Sequence, residues 1–327
     1  MTRWLPVAAG VLALALSGAV SAQSGKLVVY TSQPSEQMAA VIEEFNKAEP
    51  GIEVELFRSG TTEVINKLQA EIGAGDPQAD VLLVADDIVM TQLKNDGRLM
   101  PYPDAPVEGY DPSWYDPDMT FFGTKLITTG IVYNTQLAGQ APGSWLDLVG
   151  PQAEGQVIMP SPLYSGAAAI HVGTLAANEQ FGWGYLEQLA DNGAIAARGN
   201  GSVLEAVARG EKAYGVLIDY MAFNAKQEGS PVDFVFPEEG VTAITQPVGI
   251  LATAKNPEAA KAFVDWQLSR AAQEHAVEQG YIPAMAGVAP PADYPDLSAL
   301  KVIQAPPSVL LETDEAMKRT FADLFGG

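Results

Sequence analysis

Cysteine is absent from the 327 residues, and histidine occurs only twice, as His171 and His275. Without cysteine there is no thiolate metal site, no cysteine nucleophile and no disulfide scaffold. Two histidines leave little scope for a histidine-rich metal centre or for most acid–base chemistry. Basic residues are scarce as well: 18 Lys+Arg stand against 40 Asp+Glu, a formal net charge of −22. So acidic a chain lacks the clustered Lys/Arg that nucleic acid or an anionic membrane surface requires. Catalytic signatures are also missing, with no Gly-x-Ser-x-Gly elbow, no His-Glu-x-x-His and no P-loop. Gly199-Asn200-Gly201 runs on to Leu204 and so lacks the third glycine of a dinucleotide fingerprint. His171, among small apolar residues, and His275, in a polar helix, read as structural. No enzymatic activity and no cofactor are expected.

What is present is apolar residue, 47% of the chain, which excludes a disordered acidic tail. The length suits two domains, each with its own core. Thr2-Arg3-Trp4 supplies a short positive start, Leu5 to Val20 is apolar, and Val20-Ser21-Ala22 places small residues where a signal peptidase reads. Residues 1–22 are therefore expected to be a cleaved signal peptide. A bacterial lipoprotein needs a cysteine just after that cut, and none exists. The mature protein is expected to be free in a periplasm, not lipidated, with no direct membrane insertion; no later segment is apolar enough to cross a bilayer.

Along the mature chain, Lys26 to Tyr30 reads as a buried strand, and Met38, Val41, Ile42 and Phe45 mark one face of a helix. Ile52 to Leu56 alternates as a strand, Thr61 to Ile72 reads as a second helix, and Asp80 to Val84 as a third strand. That order implies a parallel arrangement wound by helices. Pro101 to Pro117 reads as loop. A second α/β unit follows, with strands at Ile127–Tyr133, Val157–Met159, Gly215–Ile218 and Val232–Phe236. Helices are expected between them at Gly166–Ala177, Tyr185–Ala190, Ser202–Ala208 and Met221–Glu228. Late in the chain come a strand at Pro247–Ala252 and helices at Pro257–Leu268, Ala271–Gln279 and Glu312–Phe325.

Several of these helices open on hydroxyl or glycine residues just after a strand: Thr31-Ser32, Ser59-Gly60-Thr61, Ser165-Gly166-Ala167 and Asn200-Gly201-Ser202. A helix N-terminus offers unpaired N–H groups and the positive end of a dipole. Small residues admit an anion to that backbone and hydroxyls add donors. In an open α/β sheet these termini lie where ligands bind. Their repetition in both halves points to a cleft lined with donors. The distant surface charge does not forbid this, since salt screens it beyond about 8–10 Å.

The mature chain resembles the periplasmic substrate-binding proteins of ABC importers, in the group holding ferric-iron, phosphonate and sugar-phosphate binders. The resemblance rests on Leu27-Val28-Val29-Tyr30-Thr31-Ser32, Ala79-Asp80-Val81, Val132-Tyr133-Asn134-Thr135, Ser202 to Glu211, Pro231 to Gly240, Asn256 to Phe263 and Gly280-Tyr281-Ile282-Pro283. It implies a two-lobed α/β fold of type II, each lobe a mixed sheet wound by helices, with a hinge between. The lobes would comprise residues 26–125 with about 248–300, and about 126–247 with about 301–327. It further implies closure on one small solute and delivery to the membrane subunits of a permease, the binding protein acting as a monomer. A partner of a two-component sensor would share the fold.

Two solute classes fit the resemblance. For a small anionic solute, a phosphonate or phosphate such as 2-aminoethylphosphonate, Thr31, Ser32, Ser59, Thr61, Ser165, Gly166 and Ala167 would hold the head. Asp219 or Asp86 would pair with an amino group, and Tyr220 would cover the carbon chain. For iron(III), Tyr133, Tyr220 and Asp86 would be hard oxygen ligands. The ferric group often pairs adjacent tyrosines, where this chain has Tyr220-Met221, and a histidine in the first loop, where it has Gln33-Pro34. The hydroxyl-lined helix starts favour the phosphorus class.

Overall fold

The computed structural model describes residues 24–295 and 299–326; the expected signal peptide lies outside them. The chain begins with β1 (Gly25–Thr31), α1 (Ser35–Ala48), β2 (Ile52–Arg58), α2 (Thr61–Ala74), β3 (Val81–Leu83), α3 (Asp87–Asn95) and β4 (Phe121–Gly123). It continues with β5 (Lys125–Asn134), β6 (Val157–Pro160), α4 (Gly166–Ala177), α5 (Gly182–Asp191), β7 (Ile195–Ala197) and α6 (Asn200–Ala208). Next come β8 (Tyr214–Ile218), α7 (Asp219–Gln227), β9 (Val232–Val235) and β10 (Thr242–Ile244). The last part holds β11 (Pro247–Ile250), α8 (Pro257–Gln267), α9 (Arg270–Glu278), β12 (Ile282–Pro283) and α10 (Pro307–Phe325).

The strands form two mixed sheets, as expected of a two-lobed α/β protein. The first runs β2-β1-β3-β11-β4; the second runs β10-β5-β8-β6-β7, with β9 and β12 also paired to β5. In the first sheet β1 is parallel to β2 and to β3, whereas β11 is antiparallel to β3 and β4. The chain passes between sheets at Gly123–Lys125 and returns at Ile244–Pro247. These two crossovers are strapped together: Thr124 N–H donates to Thr245 O at 3.1 Å and Thr124 Oγ1 donates to Gln246 O at 2.8 Å. Gln273 Nε2 adds a bond to Thr124 O at 2.7 Å.

Local sequence explains the helices that frame the cleft. Met38, Val41 and Phe45 bury one stripe of α1 against the first core, where Phe45 meets Phe263 edge-on at 5.2 Å. Helix α2 ends at Gly75, whose φ of 77° is the left-handed cap glycine favours. Helix α8 opens with the Asn256 cap and Pro257, which lacks the N–H that would go unpaired there. Helix α4 is buried from Gly166 to Leu175 because α10 covers the face turned from the sheet. The buried anchors of α10 are Leu310, Met317 and Phe321.

Five elements depart from expectation, among them the two-residue strand β12, where a loop was expected. Helix α3 was not foreseen, and neither were the three-residue strands β4, β7 and β10, which are too short to show a period and exist through their partners. The segment from Pro101 to Pro117 is largely irregular, yet Tyr102 and Tyr110 are buried in the first core. Ile282 and Tyr294 pack in the second lobe's core and Ala284 in the first, so the stretch near residue 290 is shared between lobes. Among the described residues no helix is long and apolar enough to cross a membrane.

Helix α10 also reaches α3, where the Asp86 carboxylate caps Val89 N–H at 3.0 Å beneath Leu310 and Asp314. Burial pushes the Asp86 carboxyl up to about 7, above its ordinary 3.8. A raised carboxyl means the native state holds the proton more tightly than the unfolded chain, so this residue costs stability as pH rises. Asp86→Asn keeps a good cap and removes that cost. Its melting temperature should match wild type near pH 3.5, exceed it progressively up to pH 7, and stay higher by several degrees above that. A constant difference across this range, measured by thermal unfolding, would refute the assignment.

Candidate functional site

A cleft of about 340 Å³ opens between the two sheets. Five helix N-termini line it: α1 through Gln33 and Pro34, α2 through Gly60 and Thr61, α4 through Ser165 to Ala167, α6 through Gly199 to Ser202, and α7 through Tyr220 and Met221. Gly60 and Gly199, at the caps of α2 and α6, provide no side-chain cap; in the first turn of α2, Thr62 N–H bonds to Tyr164 O at 3.4 Å instead. The lining contains Arg58 and Arg198 but no aspartate or glutamate, in a chain with more than twice as many acids as bases. The charge of the lining therefore runs against the global charge.

Arg58 ends β2, and its guanidinium is held by Gln33 O at 3.1 Å and Ser32 O at 3.4 Å. Arg198 lies over the Tyr164 ring at 4.4 Å and pairs across the cleft with Glu63 of α2 at 2.7 Å. That pair is exposed and contributes little to stability. It does place a cation from the second lobe opposite Arg58 of the first. Ser32 Oγ accepts from Ala85 N–H at 3.0 Å, and Ser165 Oγ accepts from Ala168 N–H at 3.3 Å and from Asn200 Nδ2 at 3.2 Å. Each hydroxyl hydrogen is left to donate.

Tyr220 and Tyr281 pack at the floor with centroids 4.2 Å apart and their rings tilted by 38°. Burial raises the Tyr220 phenol to about 12 and the Tyr281 phenol well above its ordinary value. Both are neutral donors; Tyr281 Oη gives its proton to Gln37 Oε1 at 2.5 Å. Behind them Lys125 is 2% exposed, donates Nζ to Gln33 Oε1 at 3.1 Å, and sits 4.6 Å from the Tyr281 ring centre. Burial pulls its ammonium down to about 7.

Of the residues expected from sequence, Ser32, Thr61, Ser165, Gly166, Ala167 and Tyr220 meet in this cleft. The other five lie outside its lining. Thr31 is fully buried, its hydroxyl donated to Leu83 O at 2.7 Å and accepting from Gln33 N–H. Ser59 turns to Glu63. Asp86 caps α3 under α10. Asp219 is 1% exposed and already accepts from Thr128 N–H, Thr128 Oγ1 and Tyr220 N–H, leaving little for a solute. Tyr133 lies at the far end of β5, opposite Tyr214 and Asp233, about 26 Å of extended strand from the hinge. Tyr133, Asp86 and Tyr220 are thus not brought together as an iron set. Among the described residues no three of His, Cys, Asp and Glu cluster to hold a metal.

Sequence reasoning missed Arg58, Arg198, Tyr164, Gln246 and Tyr281. For the arginines a signal was available: each directly precedes a glycine-bearing helix start, as Arg58-Ser59-Gly60 and Arg198-Gly199-Asn200-Gly201. Tyr281 and Gln246 carry no such signal, because they reach the cleft only through the hinge.

Two mixed sheets joined by paired crossovers, with helix N-termini converging between them, define a two-lobed solute-binding protein. The chain belongs to the bacterial extracellular solute-binding protein family, which it matches over residues 31–274. It is 29% identical over 268 residues to a probable ABC transporter periplasmic-binding protein of Sinorhizobium fredii, covering 78% of this chain and 72% of that one. It is 28% identical over 298 residues to an Fe(3+)-binding periplasmic protein of Serratia marcescens, covering 88% and 86%. The periplasmic binding protein AfuA of Actinobacillus pleuropneumoniae, solved with fructose-6-phosphate, superposes with a TM-score of 0.83 at 24% identity over 93% of this chain and 99% of AfuA. The protein is the solute-binding component of an ABC transporter, a class that carries solutes to a permease.

Two glycines fix how close the lobes come. A Cβ on Gly166 would lie 2.5 Å from Ala85 O and 2.8 Å from Thr61 Oγ1, and one on Gly60 would lie 2.6 Å from the Tyr164 ring and carbonyl. Gly166 was expected to admit an anion; its missing side chain also admits the opposite lobe. Gly166→Ala and Gly60→Ala should each hold the lobes apart. Small-angle scattering should give a larger radius of gyration than wild type at equal ligand saturation. An unchanged radius in both variants would show that these contacts do not limit closure.

Proposed function

We propose that this protein captures a small phosphonate- or phosphate-bearing solute, of the size of 2-aminoethylphosphonate or a little larger, and delivers it to the membrane subunits of its importer. It works as an unlipidated periplasmic monomer after loss of residues 1–22, with lobes formed by residues 26–125 with about 248–300 and about 126–247 with about 301–327, the stretch from Ile282 to Tyr294 being shared between them. The observation that carries this reading is the cleft lining: two arginines, no acid and five helix N-termini. Arg58, Ser32 and Thr61 offer donors from one lobe; Arg198, Ser165 and the backbone at Gly166 and Ala167 offer them from the other. A phosphoryl head has three oxygens to share between both sets. Only the closed protein makes both sets of contacts, so the solute shifts the population toward closure. AfuA, crystallised with fructose-6-phosphate, supports the phosphate class.

Iron(III) is the second reading, favoured by the Tyr220–Tyr281 pair and by the Serratia marcescens relative. Its ligands here would be these two phenols. Ionising them means overcoming the burial that raises both, and the neighbouring arginines would then need a bound anion to share.

Thermal unfolding with aminoethylphosphonate, hexose phosphates and ferric citrate separates the readings. A solute at 100 times its Kd adds about 2.7 kcal/mol of stability. Phosphorus compounds should raise the melting temperature, and Arg58→Ala or Arg198→Ala should each weaken their binding by about 1.5–3 kcal/mol. Stabilisation by iron alone, with a visible phenolate absorption band, would overturn the phosphorus reading.

A further inference from the structure

Two side-chain oxygens in the cleft lining have no partner within the protein. Gln246 is 2% exposed, lines the cleft, and holds its Oε1 buried without a hydrogen bond. Asn200 lines the same cleft, gives Nδ2 to Ser165 Oγ at 3.2 Å, and leaves Oδ1 buried and unpartnered. Buried polar atoms are nearly always paired. Among the described residues one other side-chain atom shares this state, Gln267 Nε2, and it is outside this cleft. Both cleft orphans are acceptors. Arg58, Arg198 and the helix termini are donors suited to an anionic head, and an anionic oxygen offers nothing to an acceptor. The two amide oxygens need hydrogens from another part of the solute.

We infer that the carbon skeleton of the solute carries hydrogen-bond donors, hydroxyl or ammonium, and that Gln246 and Asn200 read them. This rests on the anionic-head reading and adds a second recognition element to it. The setting of Gln246 strengthens its role. Its φ of 35° lies in the left-handed region that favours glycine, and it stands in the crossover between β10 and β11. Thr124 Oγ1 holds its carbonyl at 2.8 Å. Strained residues fixed by their surroundings concentrate at ligand clamps. A donor on the solute would engage the segment that both lobes share. A site with buried acceptors discriminates strongly against an analogue lacking the donor, because the acceptors then remain unpaired.

Titration calorimetry on the purified protein tests this with 2-aminoethylphosphonate, its near-isostere propylphosphonate, and a hexose 6-phosphate. At least one donor-bearing compound should bind about 100-fold tighter than propylphosphonate. Gln246→Met and, separately, Asn200→Ala should cut that affinity by about tenfold or more, and the loss should exceed the loss for propylphosphonate at least about fivefold. Thermal unfolding of each ligand-free variant checks that it folds, and Asn200→Ala serves if Gln246→Met does not. Preference for the hexose phosphate identifies hydroxyl donors; preference for aminoethylphosphonate identifies ammonium. Equal binding of donor-bearing and donor-free compounds, or equal losses in the variants, would overturn this inference and leave the anionic-head reading intact. Failure of every phosphorus compound to bind would overturn both.

Discussion

The bond from Thr124 Oγ1 to the carbonyl of Gln246 joins two stretches that carry the chain between the sheets, the one from β4 to β5 and the one from β10 to β11. Each sheet has its own core and its own helices. They are related by this strap, with Thr124 N–H on Thr245 O and Gln273 on Thr124 O, and by the cluster in which Ile88 of α3 meets Ile170 of α4 and Leu310 of α10. The cleft is its consequence: the strap sets both sheets so that the carboxyl ends of their strands, and the helices that follow, face each other. Tyr281 and Lys125 lie next to it and form the floor and the support behind it. A small rotation about such crossovers moves whole lobes, which is how a small solute can command a large change of shape.

The electrostatics follow the same division. Acids dominate the chain, but they lie on exposed helix faces and loops, or are committed inside as Asp86 and Asp219 are to backbone and hydroxyl donors. None reaches the cleft lining. Helix dipoles act within the first turn and salt screens charge beyond about 8–10 Å, so five N-termini and two arginines, one of them paired with Glu63 at 2.7 Å, set the character of the cleft apart from a distant acidic exterior. The excess of acid is a property of the solvated surface and carries no information about the solute.

The sheets and most helices were legible in the sequence because their determinants are local. Met38, Val41 and Phe45 repeat at helical spacing, Ile52 to Leu56 alternates, and proline or glycine closes each segment. The strands that escaped, β4, β7, β10 and β12, are defined by their neighbours rather than by pattern. The site was legible in part for the same reason. Ser165 and Thr61 stand at helix starts, a position any reader of caps can find. Thr31 and Ser59 share that signature, yet one hydroxyl is taken by Leu83 O and the other by Glu63. Which hydroxyl remains free depends on a neighbour distant in sequence.

By itself the sequence determined the class of protein: two α/β units, no cysteine, no catalytic signature, and helix starts suited to an anion. Patterning, propensity and capping act over a few residues, so they survive without coordinates. The tertiary structure decided which residues meet. It brought Tyr281 to Tyr220 across 61 residues, set Arg198 opposite Arg58, and sent Asp86, Asp219 and Tyr133 elsewhere. It also left Gln246 and Asn200 with unpaired oxygens in the cleft. Those pairings depend on how two separately folded sheets are held across a hinge, and a residue's neighbours in the chain say nothing about that.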